Sequence, residues 1–261
     1  MQVLKLGSSG AAVKRWEIFL TGQGFFTGPV DGLFDDATVQ ATRAFQTKHR
    51  LDVDGKVGNQ TMGQAMVLGF EQVRDDDPDR FGPNFPPPPA FPPLTGTAAR
   101  QRLFGKFEFV HKPKPNNPEN IEILGTWERD NIVRIAIPQL AGVKGAPADG
   151  GARLHRLAVP QVLALFKAWE TAALLDRILT WEGAFVARLV RGSATALSNH
   201  SFGSAFDMNA AFNTLGAQPA LVGQKGSLRE LVRIANDHGF FWGGHFQSRR
   251  DGMHFEIAEL K

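Results

Sequence analysis

The residues of this chain best suited to chemistry lie in two short stretches. Residues 198–209 read Ser-Asn-His-Ser-Phe-Gly-Ser-Ala-Phe-Asp-Met-Asn and set His200 and Asp207 seven positions apart. Residues 251–256 read Asp-Gly-Met-His-Phe-Glu and add a second imidazole, His254, with further carboxylates at Asp251 and Glu256. Imidazole nitrogen and carboxylate oxygen both ligate first-row divalent cations, and Gly203, Ser204 and Ala205 let the backbone pass close to an ion. Together the stretches can make a three-ligand site with an open position, the layout of a catalytic zinc centre. There is no cysteine, so thiolate ligands, thiol nucleophiles and disulfides are excluded. Ser198 and Ser201 have no base arranged beside them, and nothing places the carboxylate pair that a glycosidase needs.

Strands are the elements that would bring these groups together. In a strand starting near Ala205, Asp207 shares a face with Ala205 and Asn209, while Phe206 and Met208 face the other way. In a strand over 253–258, His254 and Glu256 share one face and leave Phe255 and Ile257 for a core. Two neighbouring strands can thus present Asp207 and His254 together, with His200 arriving from the loop before. Asp251, at the turn preceding His254, is then placed to reach a bound water rather than the ion. Another strand is expected over 131–138, and a fourth over 240–244, separated by a loop from the one at 253–258. An amphipathic helix is expected over 160–178, and a helix opened by the capping box Ser227-Leu-Arg-Glu230 and closed by Gly239. Helices and strands mix without a βαβ rhythm, so the fold class expected for this region is α+β.

At 261 residues two domains are the first expectation, and a hydrophobic content of 43% is that of an ordinary globular protein. The net charge of +3 carries no nucleic-acid footprint but suits a weakly anionic polymer such as cell wall. No apolar run reaches membrane-spanning length, and the N-terminal residues do not read as a signal peptide. A monomer is expected.

The first 70 residues contain an internal echo. Asp31-Gly32 is followed by Thr38, and Asp54-Gly55 by Thr61, so both copies place Thr seven residues after Asp. Asp-Gly marks a tight turn, and apolar residues at helical spacing (Val13, Trp16 and Leu20; Ala37, Ala41, Ala44 and Phe45) describe a small all-α, three-helix unit. From Glu71 the composition changes to an acidic run at Asp75, Asp76, Asp77 and Asp79, then Phe85-Pro-Pro-Pro-Pro-Ala-Phe-Pro-Pro. Consecutive prolines favour extended polyproline II, a semi-rigid spacer. The organisation expected is a binding domain over 1–70, a linker over 71–96 and a catalytic domain over 97–261.

Residues 3–67 resemble the peptidoglycan-binding domain carried by many cell-wall hydrolases, through the runs 6–13, 28–34, 44–46 and 51–58 and Thr61. Trp16-Glu17 stands where that family usually has Leu-Gln, and Asp35 replaces a common glycine. The stretches around His200 and His254 resemble the VanY-type zinc D-alanyl-D-alanine carboxypeptidases, a family that also contains L-alanyl-D-glutamate endopeptidases. The resemblance spans roughly residues 105–258. It implies zinc (Zn2+) held by His200, Asp207 and His254, with Asp251 as general base where many members carry Glu. It also implies an upstream arginine for the substrate and its oxyanion, for which Arg188 and Arg191 are the candidates, Arg188 favoured. The function so implied is an endolysin-like hydrolase of bacterial peptidoglycan that cuts the L-alanyl-D-glutamate bond, retained in the host cytoplasm until released to the wall. Removal of terminal D-alanine is the alternative, and an inert zinc-containing wall-binding module the alternative of another class.

Overall fold

In the N-terminal repeat, each Asp-Gly turn aims a glycine N–H at a buried side chain of the helix before it. Helix α1 (Ala11–Gly22) supplies Glu17, whose Oε2 accepts the Gly32 N–H at 2.8 Å and whose Oε1 accepts the Thr38 hydroxyl at 3.2 Å. Helix α2 (Asp36–Lys48) supplies Gln46, whose Oε1 accepts the Gly55 N–H at 2.9 Å while its Nε2 donates to the Thr61 hydroxyl at 3.0 Å. Helix α3 (Asn59–Val67) completes the unit. The carboxylates of Asp31 and Asp54 each accept the N–H two residues on, and Gly32 and Gly55 sit at φ +78° and +74°, where other residues are strained. The echo in sequence is therefore one knot built twice. Asp35 caps α2 by accepting the Thr38 N–H, so its departure from glycine supplies a helix start. Trp16 has a similar place: its ring stacks on Phe19 and meets Phe45 and Phe70 edge-on in the core, and its indole N–H donates to the Thr42 hydroxyl.

Glu17 carries a pH signature. Burial pushes its carboxyl above the ordinary 4.5, against the hydrogen bonds from Gly32 and Thr38. The folded state then holds this proton more tightly than the unfolded chain, so stability falls as pH rises through the window from 4.5 upward. Glu17→Gln removes that loss and can copy the Gln46 arrangement, donating to the Thr38 hydroxyl. The expected result is a melting temperature above wild type at pH 7, with the advantage shrinking below pH 4.5, read by circular dichroism. A difference that does not change with pH would contradict it.

The computed structural model describes residues 3–70 and 85–261, so the acidic run at 75–79 lies outside the described residues. Contacts divide the chain into two units, residues 1–86 with 219–230 and residues 87–218 with 231–261. Residues 87–96 fall in the second unit, where the Leu94 N–H bonds to Glu256 Oε1. Among the described residues, no helix is long and apolar enough to cross a membrane.

The second unit is mixed α/β. It opens with helix α4 (Thr97–Phe104) and the antiparallel pair β1 (Phe109–His111) and β2 (Ile121–Ile123). Helix α5 (Trp127–Asn131) leads into β3 (Ile132–Ala136), which pairs antiparallel with β4 (Gly151–His155). Helix α6 (Val159–Thr171) follows and stops short of the expected residue 178. Ala173 turns left-handed at φ +56°, and the Leu174 N–H closes back on the Trp169 carbonyl. The main sheet is antiparallel in the order β5-β6-β8-β7, from β5 (Trp181–Gly183), β6 (Ala205–Met208), β7 (Phe240–Trp242) and β8 (His254–Ile257). Helix α7 (Arg229–Asp237) precedes β7; at its start Ser227 Oγ accepts the Arg229 N–H and donates to Glu230.

One face of the main sheet is an aromatic core. Phe206 of β6 stacks on Phe255 of β8 at 5.7 Å and on Trp181 of β5 at 5.5 Å. Phe166 and Trp169, one helical turn apart on α6, close over Phe206 from the same side. Each such ring, taken fully out of water, contributes about 1.5–3 kcal/mol. Because side chains alternate along a strand, anchoring Phe206 and Phe255 here turns their neighbours to the opposite face. Those neighbours are Asp207, His254 and Glu256.

Candidate metal centre and cleft

Strands β6 and β8 pair with Asp207 directly opposite His254 and Ala205 opposite Glu256. His200 comes from a short 3-10 turn, Asn199–Phe202, at whose start Ser198 Oγ accepts the His200 N–H at 3.3 Å. Gly203 ends that turn in the left-handed region at φ +64°. A Cβ there would lie 2.6 Å from the His155 backbone nitrogen, so only glycine lets the turn drop His200 beside the sheet.

The three side chains converge. His200 Nε2 lies 3.2 Å from Asp207 Oδ2, His254 Nδ1 lies 3.0 Å from Asp207 Oδ1, and the two imidazole nitrogens are 3.1 Å apart. They form a group of ligand atoms all within 4.8 Å of one another. The outer nitrogens settle what the inner ones carry. His200 Nδ1 faces the Ala184 carbonyl at 2.7 Å and His254 Nε2 faces Glu256 Oε2 at 3.1 Å, and both partners can only accept. Both outer nitrogens therefore bear hydrogen, which leaves the two inner nitrogens and the carboxylate to share a proton or a cation between them. That arrangement demands a positive charge at its centre. Burial works against the charged forms, yet the hydrogen bonds to Asp207 and Glu256 push His254 up to about 10. Against the same burial, the two histidines hold the Asp207 carboxyl well below the usual range. A donor set of two imidazole nitrogens and a carboxylate oxygen, each imidazole braced by a second acceptor, fits a divalent cation of the zinc type.

Asp251 sits beside this group. Its backbone is pinned, with its N–H on the Gly243 carbonyl at 2.9 Å and its carbonyl accepting the His254 N–H at 3.0 Å. Gly243 is required for that approach, since a Cβ would come 2.5 Å from the Asp251 carbonyl oxygen. The Asp251 side chain is different: among the described residues, its buried Oδ1 has no hydrogen-bond partner. Burial raises its carboxyl above the ordinary range, helped by the charge of Asp207 and opposed by His254, His200 and Arg188. It lines a cleft of about 570 Å³ together with His254, Glu256, Arg188, Phe241 and Phe246.

The two candidate arginines separate here. Arg188 feels the charges of Asp207 and Asp251, its backbone N–H is fixed on Ser201 Oγ at 2.8 Å, and its half-buried guanidinium donates from Nη1 to the Leu189 carbonyl at 3.2 Å. Arg191 also lines the cleft, but its guanidinium is held at the surface by Glu119 at 2.5 Å and Asn117 at 3.2 Å. His155 is a core residue: burial pushes it down to about 4, and its Nε2 meets the Phe104 carbonyl. Trp242 is likewise core, its indole N–H donating to the Gly252 carbonyl. His245 lines the cleft.

Three features of the site escape sequence reasoning. Arg100 of α4 is buried and donates to Asn199 Oδ1 at 2.6 Å; no spacing connects residues that far apart. Asn199 itself carries one weak signal, its place next to His200. The described end of the Pro-rich stretch supplies Pro88, Pro93 and Thr95 to the cleft wall, which its composition alone does not suggest.

A family model described as D-alanyl-D-alanine carboxypeptidase matches residues 191–257, and one described as putative peptidoglycan binding domain matches residues 9–64. The chain thus joins a segment similar to a wall-binding domain to a segment similar to a wall peptidase. Spore cortex-lytic enzymes of Bacillus cereus are 45% identical over 60 residues, which are 23% of this chain and 23% of theirs. The chain therefore spans about a quarter of the length of the curated relatives it matches. Among solved structures, the SleB N-terminal domain is 40% identical, over 26% of this chain and 92% of its own, with a TM-score of 0.25. A fused Zn-dependent amidase/peptidase/peptidoglycan-binding protein of Clostridium acetobutylicum is 34% identical, over 30% of this chain and 37% of its own, with a TM-score of 0.24.

Proposed function

We propose that the protein is a modular peptidoglycan hydrolase: the N-terminal unit binds wall, and the C-terminal unit cleaves a stem-peptide bond as a zinc peptidase. The observation that carries this reading is the meeting of His200, Asp207 and His254 beside Asp251, whose buried Oδ1 has no hydrogen-bond partner among the described residues, at the wall of a cleft. His200, Asp207 and His254 would hold zinc, which when bound supplies Lewis acidity towards water and the scissile carbonyl. Asp251 takes a proton from the attacking water and delivers it to the departing amine nitrogen. Arg188 donates to the carbonyl oxygen as negative charge develops there. Phe241, Phe246 and the two prolines give the cleft an apolar part of its wall.

Arg188 and Arg191 are told apart by substitution. Arg188→Met removes a donor to a developing oxyanion and is expected to lower kcat by about 10²–10³-fold. Arg191→Met breaks an ion pair at the surface, worth about 0–1 kcal/mol, and is expected to leave kcat near wild type. Equal losses in the two variants would remove the distinction.

The bond assigned is that between L-alanine and D-glutamate, on the modular layout and the aspartate base. A second reading, release of terminal D-alanine, is favoured by the description of the family matching residues 191–257. Digestion of purified peptidoglycan followed by mass spectrometry decides between them. New amino-terminal D-glutamate supports the endopeptidase, free D-alanine overturns it, and an undigested wall with zinc bound points to an inert module.

A further inference from the structure

The metal ligands rest on a buried relay that begins far outside the segment matched by the peptidase family. Glu256 is 1% exposed and its carboxylate is fully engaged. Oε1 accepts the Leu94 N–H at 3.1 Å, and Oε2 accepts from both His254 Nε2 and the Asn199 side-chain amide. An asparagine amide has a donor end and an acceptor end, so something must choose which end faces the carboxylate. Arg100 makes that choice. Its Nε donates to Asn199 Oδ1 at 2.6 Å, which obliges Asn199 Nδ2 to face Glu256. Its Nη1 donates to the Leu197 carbonyl at 2.7 Å, so the guanidinium fork grips the backbone just before Asn199 and His200. Arg100 is 8% exposed and feels the charge of Glu256, making it the cation that offsets this buried anion.

We propose that Arg100 is a positioning residue of the metal centre, acting through Asn199 and Glu256 to hold His254 with Nδ1 presented to the ion. The inference rests on the zinc reading given above. Its physical content is that His254 has two neutral tautomers, and only the one with hydrogen on Nε2 leaves Nδ1 free to ligate. Glu256 selects that tautomer by accepting from Nε2. Asn199 and the Leu94 N–H fix Glu256, and Arg100 fixes Asn199. Residues 94–100 are therefore part of the metal site although none of them reaches the ligand group.

The test uses the full chain and reads metal affinity. Zinc dissociation constants are measured by chelator competition, and the visible spectrum of the cobalt-substituted protein reports the ligand field. Arg100→Met is expected to weaken zinc binding by about 10–100-fold and to shift the cobalt bands. Glu256→Gln is expected to do the same, and the double variant to be no weaker than the weaker single, because both act through one relay. Arg100→Lys keeps the buried charge balanced but cannot fork between Asn199 and Leu197, so it should fold and still bind zinc several-fold more weakly. Wild-type affinity and spectrum in a folded Arg100→Met, or in Arg100→Lys should the former not fold, overturns the positioning role. Losses that multiply in the double variant overturn the relay. A wild-type protein that takes up neither zinc nor cobalt overturns the metal-centre reading, and this inference with it.

Discussion

Asp251→Ala is expected to cut peptidoglycan cleavage by about 10²–10⁴-fold while leaving the zinc content of the protein unchanged. The separation of effects follows from how the residue is held. The turn around Asp251 is fixed by backbone bonds to Gly243 and His254, which the substitution leaves in place. Only the carboxylate is lost, and its Oδ1 has no bonding partner among the described residues whose loss would disturb the fold. Asp251→Asn keeps the shape and removes the basicity, so it should match alanine in rate. Metal analysis and a digestion assay on one preparation read both quantities. A zinc-free Asp251→Ala protein would show that Asp251 belongs to the ligand set; a fully active one would remove it from the chemistry.

Loss of a ligand should give the opposite pattern. His254→Ala is expected to abolish cleavage and zinc retention together. It removes a donor atom 3.0 Å from Asp207 and 3.1 Å from His200. It also strips Glu256 of one bonding partner, so a buried carboxylate loses a hydrogen bond of the charged kind, worth about 1.5–3 kcal/mol. The variant should therefore melt below wild type even when both are stripped of metal. Zinc content near zero, activity near zero and a lowered apo melting temperature are the three readings. Stoichiometric zinc in His254→Ala would overturn the assignment of this ligand.

The two experiments together distinguish a catalytic group from a ligand, and the geometry explains why they should differ. Asp207 and His254 face each other in a register pair of the sheet, so the ligands are as rigid as the aromatic core beneath them. Asp251 is carried on the turn before β8 and reaches the same place from the side. An acid held in this way can move a proton without being needed to hold an ion.

Much of this was written in local sequence. Alternation along residues 205–208 and 254–257 assigned Phe206 and Phe255 to one face and Asp207, His254 and Glu256 to the other, because strand side chains alternate whatever the rest of the chain does. The Asp-Gly turns with Thr seven residues on were equally readable, since glycine and aspartate meet a local backbone need. What local sequence could not contain were the partners. That Glu17 and Gln46 close the two turns, that Ala184 braces His200, that Arg188 feels the charge of Asp207 and that Arg191 is taken by Glu119 all depend on segments apart in sequence. Arg100 is the clearest case. As a sequence feature it is one basic residue on a short helix, and its weight comes from being packed against Asn199, 99 positions later. Residue type and period determined which groups could do chemistry here; which of them meet was decided by the order of strands in the sheet and by the packing of the His200 turn and helix α4, because only tertiary structure sets side by side residues the chain keeps far apart.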